Sequence, residues 1–165
     1  MQAARVLRHL FATHWGTRRR FTAEVLARIE KTLRRLEDQH AGELRFAVET
    51  AFDLPELWYG VTPRQRALQV FGQLGVWDTE GNNGVLIYVL MADRDVEIIA
   101  DRAVAARVPQ SEWDAVCRDM EAHFRAGRFA EGSEAGIAAV GSLLGMHFPG
   151  QGGDRDEQPN QADLL

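Results

Sequence analysis

Apolar positions along the chain fall into successive periodicities, each predicting an element. Val25, Ile29, Leu33 and Leu36 recur at helical spacing, with Arg28, Lys31, Arg35 and Asp38 opposite them. That pattern predicts a surface helix over a sheet, ending near Gly42. Thr22 supplies its N-cap, and Phe21 with Leu26 a hydrophobic staple. From Glu43 to Thr50 the period becomes two: Leu44, Phe46 and Val48 alternate with Arg45, Ala47 and Glu49, as in a strand. A loop carrying Leu54, Leu57, Trp58 and Tyr59 follows, its aromatic residues expected to pack over the core. Thr62 to Gln65 is a capping box with Pro63 at the first helical position; Ala67, Leu68, Phe71 and Leu74 form the buried stripe and Gly75 stops the helix.

The centre of the pattern is Val85 to Met91, an unbroken apolar run. Its length suits a strand, and the lack of alternation means both faces are covered. Gly81, Asn82, Asn83 and Gly84 before it are turn formers because Gly and Asn tolerate positive φ. Ala92 to Asp95 is a short polar reversal, and Val96 to Ala100 returns as a second, antiparallel strand. A right-handed crossover makes the strands at 44–49 and 85–91 parallel, giving a mixed sheet of three to four strands. Ser111 is read as the cap of another helix, with Asp114 three residues on; Trp113, Val116, Met120 and Phe124 line its inner face, and Gly127 ends it. The last helix runs from about Phe129 to His147, its glycines marking close approach to a neighbour. The tryptophans are expected to be chiefly core. The organisation is thus a basic arm or helix over 1–20, an α/β domain over 21–149, and a polar tail over 150–165 expected to be disordered.

Charge adds one asymmetry. The net charge is −5, yet residues 1–20 hold five arginines and no acid. A basic arm on an acidic body argues against nucleic acid. Val6, Leu7, Leu10 and Phe11 share one helical face in the arm, which fits either an anionic membrane surface, a membrane-protein partner, or packing on the domain itself; packing is the weightier of these. No apolar stretch reaches the ~18 residues of a membrane helix, and no secretory signal is evident, so a cytoplasmic location is expected. The single cysteine, Cys117, excludes an internal disulfide and lies in a helix, so no Cys-x5-Arg loop exists. The histidines lack metal-ligand spacing.

Hairpin geometry places two groups of polar residues at opposite ends of the sheet. Asp78, Glu80, Asn82, Asn83 and Asp101, with Glu43 at the start of the parallel strand, gather oxygen donors at one end. A hard cation such as Ca2+ or Mg2+ takes that ligand chemistry, and Arg102 beside it could hold a phosphate oxygen. Such residues also make ordinary turns and acidic surfaces. The second group, Glu49, Asp93 and Asp95, is expected to be a solvated hairpin end. Neither group contains a recognisable nucleophile or general base, so no catalytic residue is assigned.

Val76-Trp77, Asn82 to Ile87, Asp93-Arg94, Val96 to Asp101 and Phe124 to Phe129 together resemble the TPM domain, the family of thylakoid-lumen, photosystem-repair and receptor-modulator proteins. The resemblance spans roughly residues 20–149. It implies a three-layer α/β/α sandwich, divalent-cation binding, notably of calcium, and either an acid-phosphatase-like activity on phosphate esters or a membrane-associated repair or modulatory role. Where many relatives have a glycine-rich turn after the second hairpin strand, this chain has Asp101-Arg102-Ala103. The resulting expectation is a divalent-cation-binding interaction or regulatory module, with a metal-dependent phosphomonoester hydrolase as the alternative. Oligomeric state is not legible.

Overall fold

Seven consecutive buried residues, Gly84 to Leu90, form the strand on which the sheet is built. The structure, a computed structural model, describes residues 2–37, 40–149 and 161–165. In chain order its elements are α1 (Gln2–Phe11), α2 (His14–Arg20), α3 (Ala23–Glu37), β1 (Glu43–Glu49), α4 (Leu54–Trp58), α5 (Pro63–Gln73), β2 (Gly84–Leu90), β3 (Asp95–Ala100), α6 (Arg102–Ala105), α7 (Gln110–Arg125), α8 (Phe129–His147) and β4 (Ala162–Leu164).

The sheet has the order β3-β2-β1-β4. β1 runs parallel to β2, with Glu43 opposite Gly84 and Glu49 opposite Leu90. β3 is antiparallel to β2, with Val85 opposite Ala100 and Leu90 opposite Asp95. Alternation along β2 explains why no polar residue interrupts it. Val85, Ile87 and Val89 face one helical layer, where Ile29 and Leu33 of α3, Trp113 and Met120 of α7 and Ile137 and Leu144 of α8 are buried. Leu86, Tyr88 and Leu90 face the other, against Ala67 and Val70 of α5, Leu57 of α4 and Phe52. The result is an α/β sandwich with helices on both faces of a mixed four-stranded sheet, as the sequence implied.

Several local expectations hold for the reasons given. Thr62 caps α5 in a reciprocal capping box with Gln65. Thr22 Oγ1 accepts from the Val25 amide at the start of α3. A Cβ at Gly136 would lie 2.2 Å from Met120 Sδ, so the α7–α8 approach requires glycine there. Gly84, expected as a turn residue, is instead the first residue of β2, where a Cβ would lie 1.9 Å from the Val76 carbonyl oxygen, so glycine there serves close packing of the preceding loop on the strand.

Other expectations are corrected. The arm is two helices rather than one: Thr13 Oγ1 accepts from the Gly16 amide and starts α2 afresh. The loop at 54–58 is helical. α7 begins at Gln110 with Pro109 in the cap position, so Ser111 lies inside the helix and does not cap it. Of the tryptophans only Trp113 is core; Trp15, Trp58 and Trp77 are exposed, as is Tyr59. The last residues of the tail, expected to be disordered, form a strand. β4 pairs in parallel with β1, Phe46 opposite Ala162 and Val48 opposite Leu164, and buried Arg45 donates to Asp163 Oδ2 at 2.6 Å. Asp38 and residues 150–160 lie outside the described residues.

Candidate functional site

The register of the hairpin decides which polar residues meet. At the amino-terminal end of the parallel pair, the Asp101 amide donates to the Gly84 carbonyl and the Ala103 amide to the Asn82 carbonyl. The Glu43 amide donates to the Asn83 carbonyl across to β1. Asn82 adopts φ 49°, the left-handed conformation its short side chain tolerates. Its Oδ1 accepts from the Arg102 guanidinium at 3.2 Å. Asn82, Asn83, Asp101, Arg102 and the start of β1 at Glu43 therefore share one end of the sheet. Asp78 is in the preceding loop, exposed, with its amide bonded to the Gly75 carbonyl. Among the described residues its side chain makes no hydrogen bond or ion pair with Asn82 or Asp101.

Two oxygens there stand out physically. Asp101 caps α6: its Oδ1 accepts from the Arg102 amide at 2.7 Å, while Oδ2 is buried without a hydrogen-bond partner among the described residues. Asn83 is buried against Gly81; its Nδ2 donates to the Ala41 carbonyl, which leaves Oδ1 buried and also without a partner. A buried acceptor that loses water and gains nothing costs about 1–3 kcal/mol. Two of them at one end of a sheet suit an oxygen-seeking cation, which draws on carboxylates, amide oxygens and main-chain carbonyls together. Among the described residues no three His, Cys, Asp or Glu side chains gather as metal ligands. A cation here would rest on one carboxylate plus neutral oxygens.

The opposite end differs from expectation. Glu49, Asp93 and Asp95 do not form a solvated hairpin tip. Asp93 receives Arg5 Nε at 2.8 Å and Arg8 at 3.2 Å, and His9 Nε2 lies 3.1 Å from its Oδ1. The buried Phe52 amide donates to His9 Nδ1, while His9 Nε2, close as it is to Asp93, makes no hydrogen bond among the described residues. The arm therefore docks through its polar side, leaving Leu7, Leu10 and Phe11 exposed. Glu49 is clasped by Arg66, with contacts of 2.8–3.1 Å, and accepts from the Tyr88 hydroxyl. Burial first, and the neighbouring Glu49 carboxylate second, push the Tyr88 hydroxyl far up, so it acts as a donor. Asp95 is pushed up to about 7, chiefly by burial and then by Glu97, Glu121 and Asp93. The signal for this end lay in the sequence: an acid-free, arginine-rich arm needed a carboxylate partner. Cys117 is half-buried in α7 and its thiol is pushed up to about 12 by burial, so it is no nucleophile.

Comparison with known proteins follows the same lines. The TPM domain family model matches residues 18–143. The solution structure of the BA42 protein from the psychrophilic bacterium Bizionia argentinensis is similar at a TM-score of 0.77 and 30% identity, covering 87% of this chain and 94% of that one. The N-terminal domain of a P. gingivalis protein is similar at a TM-score of 0.54 and 26% identity, covering 69% of each chain. No curated protein matches. Among the described residues no helix is long and apolar enough to cross a membrane. With most of its length matched and its sheet built as described, this chain belongs to the TPM domain family.

Proposed function

We propose that this TPM domain is a divalent-cation-binding interaction module, cytoplasmic, with Ca2+ or Mg2+ held at the Asp101 end of the sheet. The supporting observation is the pair of buried, unpartnered oxygens, Asn83 Oδ1 and Asp101 Oδ2. Asn82, Glu43 and Asp78 belong to the same end or the loop feeding it and would complete the shell with main-chain carbonyls and water. A bound cation would neutralise Asp101 and fix the Asn82–Arg102 contact, tying the loop before β2 to the start of α6. The arm adds a surface: exposed Leu7, Leu10, Phe11 and Trp15 precede Arg18, Arg19 and Arg20, a combination that fits an anionic membrane or a membrane-bound partner.

Titration calorimetry with Ca2+ and with Mg2+ tests the cation. Asp101→Asn keeps a cap acceptor and removes the charge; affinity is expected to fall at least about tenfold, the scale of one charged ligand. Undiminished binding removes Asp101 from the site. The second reading, a metal-dependent phosphomonoesterase, draws on Arg102, whose exposed guanidinium beside Asn82 could take a phosphate oxygen. Cation-dependent hydrolysis of a chromogenic phosphate that disappears in Asp101→Asn favours it over the module.

A further inference from the structure

A cavity of about 550 Å3 lies at the other end of the sheet, remote in the strand register from Asn83 and Asp101. One wall is the α1–α2 junction and α2, the floor is Val89 to Ala92, and the far wall is the α7–α8 turn. Its size is that of a small-molecule site, about 300–1,000 Å3. It sits at the carboxyl ends of the parallel strands, where open α/β sheets take ligands.

Its lining has a one-sided chemistry. Arg8, Arg20, Arg94 and Arg125 contribute to it and no carboxylate does. Two of these cations are already answered, Arg8 by Asp93 and Arg125 by Glu121. Arg20 donates to the Gly16 carbonyl at 3.1 Å and lies 5.9 Å over the Phe129 ring, with no carboxylate among the described residues. The Arg94 guanidinium has no hydrogen-bond or ion-pair partner among the described residues, and its backbone is held at φ 56° by the tight turn. Much of the remaining surface is apolar, with Met91 below and Phe124 and Phe129 beside.

We infer that this cavity binds a small organic anion with an apolar body: a carboxylate or phosphate-monoester headgroup on an alkyl or aryl tail. A bare inorganic anion would answer the arginines but leave the aromatic wall wetted. A neutral hydrocarbon would fill the cavity and strip water from Arg20 and Arg94 with nothing in return, which is costly. Only a ligand carrying both parts satisfies both, with the guanidinium forks taking the headgroup. This does not depend on the cation reading, since it uses other residues at the other end.

The experiment is calorimetry on the full chain with monomeric decanoate and decyl phosphate, against decanol and inorganic phosphate. One-to-one binding of the two amphiphiles is expected, at least about tenfold tighter than either control. Arg20→Gln and Arg94→Gln should each weaken it about tenfold, and Arg94→Glu abolish it, with circular dichroism unchanged; Arg94 is on an exposed turn, so its variants keep the fold. Decanoate binding that ignores both arginines overturns the assignment. So does inorganic phosphate binding as tightly as decyl phosphate. Phosphatidylglycerol vesicles bound in an Arg94-dependent way without any decanoate binding would assign these arginines to a bilayer surface and also overturn it.

Discussion

Asp93→Ala should release α1 without unfolding the domain. α1 has ten residues, too few for a stable isolated helix in water, so it persists only while docked. Its anchorage converges on one carboxylate, itself nearly buried, through Arg5, Arg8 and His9. The largely shielded Arg5 contact contributes about 2 kcal/mol, as a hydrogen bond to a charged group. Exposed Arg8 adds about 0.5 kcal/mol. What remains after their loss includes the partly buried Val6, the His9 bond to the Phe52 amide and the contacts of Arg5 and His9 with the Phe52 ring. Together the lost contacts come to roughly 2.5 kcal/mol, so the detached fraction should rise by nearly two orders of magnitude. Amide hydrogen exchange reads this directly: amides of α1 should lose about 100-fold in protection while those of β2 keep theirs. Unchanged protection in α1 would refute the docking argument. An equal loss in α1 and β2 would refute its local character.

Arg66→Met leaves the Glu49 carboxylate buried beside Tyr88 alone and should cost about 3 kcal/mol in urea denaturation. Adding Glu49→Leu and Tyr88→Phe removes the stranded groups and should restore at least half of that; losses that simply accumulate would contradict the network. Asp95 provides the pH dependence. Its folded value of about 7 lies above the unfolded ~3.9, so the native state holds a proton the unfolded chain has released, and stability falls as pH rises from about 4 to 7. The shift corresponds to about 4 kcal/mol if fully felt, and about 2 kcal/mol once partial solvent exposure is allowed for. Asp95→Asn should therefore match the parent near pH 4 and exceed it by about 2 kcal/mol near pH 8; an equal effect at both would remove Asp95 as the cause.

What the sequence made legible was local or followed from a short register. The capping box at Thr62, the glycine stops at Gly75 and Gly127 and the span of α8 depend on neighbours within a few residues. The hairpin then carried Asn82 and Asp101 to one end, because two adjoining strands leave little freedom in where their ends meet. Legibility failed where distant partners decide. A three-residue strand in a polar tail has no pattern of its own; its place depends on Arg45 and the open side of β1. The amphipathic pattern of α1 pointed its apolar face inward, yet Asp93 and the Phe52 amide draw in the opposite face. For the same reason the turn around Asp93 read as solvated: its cations come from 85 residues away and more. The unpartnered oxygens of Asn83 and Asp101 are invisible until every nearby donor is placed.

The outer margin of β1 has a consequence for intermolecular behaviour. Residues 162–164 occupy main-chain groups that would otherwise form a vacant template, and the Leu165 amide adds a bond to the Val48 carbonyl. Shortening the chain by five residues would free that template and take the Asp163 carboxylate away from the buried Arg45. Another copy's segment could then add to the ladder, making strand exchange and oligomer growth the expected fate of a clipped molecule.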